Sequence, residues 1–155
     1  MRAAELARRF EETHAEVLSF AEGCTDADWK AACEGSRTVG LVLDHIGEGY
    51  DQSVEWLQGY LEGRPVPHTA EQIDAQNKVH AGAAGDRPRD ETLEALRSRA
   101  ERTSTFIRAL DDEQLSITMP LGLAGGAPIS ADQLVKILYR HTSQHLASCQ
   151  AALES

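Results

Sequence analysis

Two histidines four positions apart carry the strongest chemical signal in the chain, within Leu138-Tyr139-Arg140-His141-Thr142-Ser143-Gln144-His145. At about 100° per helical residue their side chains lie within roughly 40° of each other. Leu134, Leu138, Cys149 and Ala152 fall on the same face, so the two imidazoles sit inside an apolar stripe. A buried polar group without a partner costs about 1–3 kcal/mol, and something must satisfy these rings. A divalent ion does so by taking one nitrogen from each, and i, i+4 is the helical spacing by which zincins supply two ligands. Thr142, Ser143 and Gln144 fill the interval, so the glutamate base of a zincin protease is missing. The alternative is a pair of core or cleft histidines hydrogen-bonded to other side chains.

A metal site needs at least one further ligand. His45, in Asp44-His45-Ile46, lies at the edge of an apolar helical run, about 100° from Ile46. Gly47 and Gly49 follow in the same helix, where each costs about 1 kcal/mol relative to alanine. Gly49 is one turn beyond His45 and leaves room for open coordination positions or a substrate; the alternative is close helix packing. His14, on an apolar stripe, is a fourth ligand, a substrate contact or a core histidine. Glu48 is a weaker ligand candidate beside the reading of a solvated carboxylate. Cys149 reads as packing, as a small buried thiol behaves as a hydrophobe. Trp29 and Trp56 read as packing anchors. His68 and His80 fall in connections, without partners at ligand spacing. Three imidazoles suit Zn, Ni or Fe(II). No G-x-S-x-G, Walker loop or G-x-G-x-x-G occurs, and no E-x-x-H pair stands on two helices as a di-iron bundle requires.

The elements that must position these residues follow from the prolines, which stand at 65, 67, 88, 120 and 128. Proline breaks helix interiors, leaving three long stretches free to be helical. The first helix spans about residues 2–22, with Ala3, Ala7, Phe10, His14, Val17 and Ala21 on one stripe. The second runs from about Val39 to Glu62 on Val42, Ile46, Tyr50, Val54, Leu57 and Leu61. The third runs from about Asp90 to Leu110 on Leu93, Leu96, Ala100, Thr103, Ile107 and Leu110. The fourth begins at the capping box Ser130-x-x-Gln133 and continues to about Leu153. Thr25 to Asp28 caps a short turn ending near Trp29, and a weaker helical piece covers Glu71 to His80. Ile117, Met119, Leu121 and Leu123 alternate as a brief extended segment. Four amphipathic helices without clear strands imply an all-α fold, a four-helix bundle, in a single domain over 1–155.

Composition narrows the function. The chain has 155 residues, with 15 Lys plus Arg against 25 Asp plus Glu, a formal charge of -10. That balance disfavours nucleic acid, which needs a basic face, and adhesion to anionic membranes. The first twenty residues lack the apolar run of a signal peptide. Cys24, Cys33 and Cys149 form no C-x-x-C pair, which argues for reduced thiols and a cytoplasmic protein.

With His45 in the second helix and His141-x-x-x-His145 in the fourth, the sequence resembles the DinB-like superfamily. That group includes the amino-terminal domain of mycothiol-dependent maleylpyruvate isomerase and thiol-dependent S-transferases. The resemblance covers nearly the whole chain. Thr38-Val-Gly-Leu-Val-Leu-Asp-His45-Ile looks like the start of the family's second helix, and Ile73-Asp-Ala-Gln-Asn77 like the acidic and asparagine segment before its third. The resemblance implies His45, His141 and His145 as metal ligands, a chain order unlike simple up-down, a homodimer, and a low-molecular-weight thiol as co-substrate for a small-molecule electrophile. Two positions depart from the pattern. Arg37 stands where many relatives have tryptophan. His141 stands where the isomerase branch commonly has glutamate, which places this chain nearer a three-histidine branch. The functions in view are S-transfer, isomerisation or hydrolysis by a metal-dependent enzyme; a metal-stapled dimeric bundle with a structural or vestigial site; and a helical module with no metal. The residues name no general base.

Overall fold

In the computed structural model, which describes residues 2–66, 69–85 and 87–154, four long helices enclose one apolar core. They are α1 (Arg2–Gly23), α3 (Val39–Leu61), α5 (Arg89–Arg108) and α7 (Ala131–Leu153). Short helices occupy the connections: α2 (Asp26–Lys30), α4 (Ala70–Ala84) and α6 (Asp112–Leu115). A hairpin of β1 (Thr118–Leu121) and β2 (Ala127–Ser130) precedes α7, paired antiparallel with Thr118 opposite Ser130 and Leu121 opposite Ala127. Gly125 and Gly126 close it with φ of 66° and 86°, a region that favours glycine. Of the alternating segment, Met119 and Leu121 fall in β1, whereas Ile117 precedes the strand and Leu123 lies in the 3-10 turn Gly122–Ala124 that follows it.

Local chemistry starts the helices where the site needs them. The Thr38 hydroxyl accepts from the Leu41 N–H at the start of α3. Ser130 and Gln133 cap α7 reciprocally, satisfying N–H groups that an uncapped helix leaves open. Thr69 with Gln72 and Asp111 with Gln114 do the same for α4 and α6.

α1 and α3 each pack against both α5 and α7. Consecutive long helices therefore lie across the bundle from each other at both ends of the chain, and the order is not simple up-down. This arrangement makes α3 and α7, the two histidine-bearing helices, direct neighbours. In the core between the helices, Phe10 meets Tyr50 edge to face at 4.9 Å.

The buried face of α3 departs from the expected stripe at its end. Leu61 is 37% exposed, whereas Ser53, Leu57 and Tyr60 are buried. Steps of four overrun the 3.6-residue turn by about 40° each, so the buried line drops back to Ser53 and Tyr60. α4 extends the expected Glu71–His80 piece by one residue at its start and by four at its end, to Ala84. Among the described residues, no helix is long and apolar enough to cross a membrane.

Candidate metal centre

The structure brings His45, His141 and His145 together: one ligand atom from each lies within 4.8 Å of the others. The i, i+4 pair on α7 points its Nε2 atoms at one another, 3.0 Å apart. His45 approaches from α3, its ring nearly perpendicular to that of His145 at a centroid distance of 5.1 Å.

Behind His145 stands a residue that the sequence did not single out. The Nδ1–H of His145 donates to the carboxylate of Glu34, at 2.8 and 3.0 Å from its two oxygens. Glu34 sits in the loop between α2 and α3. The Cys33 N–H donates to the Arg37 carbonyl and the Arg37 N–H to the Glu34 carbonyl, both at 2.9 Å. Gly35 supplies the left-handed turn, with φ of 58°, and Arg37 forms an ion pair with Glu34. A carboxylate on the far nitrogen fixes the tautomer that leaves Nε2 with a free lone pair, and it raises the basicity of a ligating imidazole.

Electrostatics favour the neutral form of the other two rings. Burial depresses His45 to about 3. His141, more exposed, is lowered in the same direction, chiefly by burial. For Glu34, burial pushes the pKa up but the hydrogen bond from His145 prevails and holds the carboxyl below its usual range. Neutral imidazoles are the form that binds a metal. A direct His141–His145 hydrogen bond would satisfy two rings and leave the third wanting: His45 Nδ1 is buried with no hydrogen-bond partner among the described residues. The donor set therefore fits a divalent ion.

A cleft of about 450 Å³ opens in front of the three rings. Gly49 on α3, Ile73 and Asn77 on α4, and Leu138 on α7 line it. Leu123 and Ile137, 41% and 40% exposed, give it an apolar rim. The two helix glycines separate in role. A Cβ on Gly49 would meet nothing within 4 Å, so this residue keeps the cleft open. A Cβ on Gly47 would press on Leu96 at 3.3 Å, so that glycine serves packing against α5.

The remaining candidates stand elsewhere. His14 hydrogen-bonds the Tyr50 hydroxyl at 3.0 Å and lines a separate groove between α1 and α5. Cys149 lies against Cys33. Trp29 packs its indole on Gly40, and Trp56 lines the cleft. His68 is outside the described residues. His80 requires a correction: far from lacking partners, it is buried and sets Nε2 2.6 Å from Asp44 Oδ2 and 3.2 Å from Glu48 Oε2. Asp44, 2% exposed, also accepts from Arg87 at 2.6 and 2.7 Å and from the Thr92 hydroxyl at 3.1 Å. Burial would raise its pKa, but the bonds from His80 and Arg87 hold it below the usual value. Glu48, half exposed, is thus a partner of His80 as well as a wall of the cleft. His45, Glu48 and His80 form a second group of close ligand atoms. That group shares His45 with the first, and its His80 already engages Asp44.

Comparison with known proteins agrees with this architecture. A sequence model of the DinB superfamily matches residues 9–149, and the chain belongs to that superfamily. No curated protein matches it. Among solved structures it is similar to YfiT from Bacillus subtilis, described as a probable metal-dependent hydrolase with an unusual four-helix bundle topology. The two share 17% sequence identity with a TM-score of 0.79, over 97% of this chain and 85% of the other.

Proposed function

We propose that this DinB superfamily member is a metal-dependent enzyme that presents a small nucleophile, water or a low-molecular-weight thiol, to a small electrophilic substrate. His45, His141 and His145 would hold one divalent ion, Zn, Ni or Fe, at the floor of the cleft. The observation that carries this reading is the convergence of three ligand atoms within 4.8 Å, with a carboxylate behind one ring and a 450 Å³ cleft in front. When bound, such an ion lowers the pKa of a coordinated water or thiol and polarises a carbonyl. The chain's own residues do the rest. Glu34 orients His145, burial keeps His45 unprotonated and biases His141 the same way, and the apolar rim of Leu123 and Ile137 seats the hydrophobic part of a substrate.

A structural metal site would be closed by a fourth protein ligand. His14 and Cys149, the two further candidates for such a shell, are engaged with Tyr50 and Cys33 instead. The opening toward the cleft supports the catalytic reading. The resemblance to YfiT favours hydrolysis, and the wider superfamily resemblance favours thiol transfer or thiol-assisted isomerisation.

Elemental analysis tests the site. The wild type should carry close to one ion per chain, and His145→Ala should lose it. Glu34→Gln should weaken binding by about 10–100-fold, as removal of an outer-shell partner does. Equal metal content in wild type and His145→Ala would overturn the assignment. Assays of the metal-loaded protein with ester and amide substrates, and with several thiols plus a model electrophile, then separate hydrolysis from transfer. No turnover in either series would leave the structural reading standing.

A further inference from the structure

We propose that Cys33 and Cys149 form a dithiol that peroxide closes into an intramolecular disulfide, tying the Glu34 loop to α7 behind the histidine cluster. The two Sγ atoms lie 3.7 Å apart although 116 positions separate them in the chain. Closure to a disulfide length of about 2.05 Å asks for an approach of roughly 1.7 Å. Cys33 is on a loop rather than in a helix, which allows that movement. It is half-buried, whereas Cys149 is fully buried, so an oxidant reaches Cys33 first. Cys33 gives up its proton and its thiolate attacks hydrogen peroxide; the O–O bond breaks, a sulfenic acid forms, and the departing hydroxide takes the proton to leave as water. Cys149, losing its proton in turn, attacks the Cys33 sulfur, and the S–OH bond breaks as the S–S bond forms, the expelled hydroxide leaving with that proton as a second water. Two thiols lose two electrons and two protons, and one peroxide becomes two waters. Cys24 is outside this pair; its thiol faces the Phe20 carbonyl at 3.3 Å.

The position gives the link a consequence. Cys33 adjoins Glu34, and Cys149 is one turn beyond His145. Both ends of the Glu34–His145 hydrogen bond are then carried on covalently joined segments. The link itself stands on the sulfur geometry alone; its effect on metal release rests on the metal-site reading. Closing the disulfide holds the carboxylate against His145 and slows loss of the ion.

The test treats the purified, metal-loaded full chain with hydrogen peroxide, alkylates it, and maps peptides without reduction. A Cys33–Cys149 peptide in a monomeric chain is expected, unchanged in Cys24→Ser and missing from Cys33→Ser and Cys149→Ser. Sulfinic acid at Cys33 without a link, a link to Cys24, or a link between chains would overturn the proposal. In a second arm, metal release to a chelator should be about tenfold slower in the linked wild type than in the reduced one, the lower end of outer-shell effects. Cys33→Ser should release at one rate with or without peroxide. Equal rates in linked and reduced wild type would overturn the coupling. Lack of metal in the untreated protein would instead overturn the metal site, and the peptide map would still decide the link.

Discussion

A single methyl group separates the helix glycines around the site. Gly49→Ala gains about 1 kcal/mol of helix propensity and adds its Cβ where nothing lies within 4 Å. The melting temperature should rise by about 2–4 °C. Gly49→Leu fills the cleft beside His45 and should cut turnover or raise KM while metal content stays at the wild-type level. Gly40→Ala goes the other way, because its Cβ would overlap the Trp29 indole. Overpacking of this kind costs about 1–3 kcal/mol, so the melting temperature should drop. Thermal melts check the two alanine variants, and steady-state kinetics with metal analysis check Gly49→Leu; a stabilised Gly40→Ala would contradict the packing assigned to Trp29. At this scale the sequence reveals only what local periodicity encodes. His141 and His145 are legible because i, i+4 spacing on an apolar stripe is a helix property. His45 is legible because glycines surround it at unfavourable positions. Glu34 is not legible: its partner is 111 positions away, and nothing in Cys33-Glu34-Gly35 announces a carboxylate aimed at a histidine.

α4 is held by few anchors. It packs mainly on α3, and Val79 on it is 73% exposed. Its deepest anchor is His80, 7% exposed, bonded to Asp44 and Glu48. Ile73 and Asn77 of the same helix wall the cleft, so the polar anchor sets how firmly that wall stands. His80→Ala should raise amide hydrogen exchange across residues 70–84 by about 10–100-fold, the loss of one buried charge-assisted bond. The interiors of α1, α5 and α7 should be unchanged. Uniform exchange across the whole bundle would show that His80 supports the core instead. The weak amphipathicity of α4 explains why sequence gives it only approximate bounds, although Thr69-x-x-Gln72 marks its start by capping. The four long helices are legible from their stripes. Which helix neighbours which is not, because an apolar stripe specifies burial and not a partner; the diagonal chain order is implied by the family resemblance alone. His80 and Asp44 meet across that topology, and so neither stood out in the sequence.

Acid stability sums such local environments over the molecule. His45 has a pKa of about 3 in the fold against 6.5 ordinarily, so below pH 6.5 the unfolded chain takes a proton that the folded chain refuses. Its contribution is full above pH 6.5 and is lost as pH falls toward about 3, at up to about 1.4 kcal/mol per pH unit. His14 and His141, both lowered by burial, act with the same sign. Asp44 and Glu34, held below 3.8 and 4.5, add their losses at lower pH. Against this, the formal charge of -10 shrinks as pH approaches the isoelectric point near 5.0, which relieves self-repulsion in the compact state. Wild type alone therefore mixes two opposing slopes, and a variant isolates one. In urea unfolding of the chelated protein at pH 8, 7, 6 and 5, the stability of wild type minus His45→Gln should be nearly flat from pH 8 to 7. It should then fall by about 1 kcal/mol per pH unit below. A difference independent of pH would mean that His45 is not held neutral by its surroundings. Repeating the series with a divalent ion present should steepen the wild-type slope, because imidazole ligands must be unprotonated to bind. His45→Gln, deprived of one ligand, should show little of that steepening.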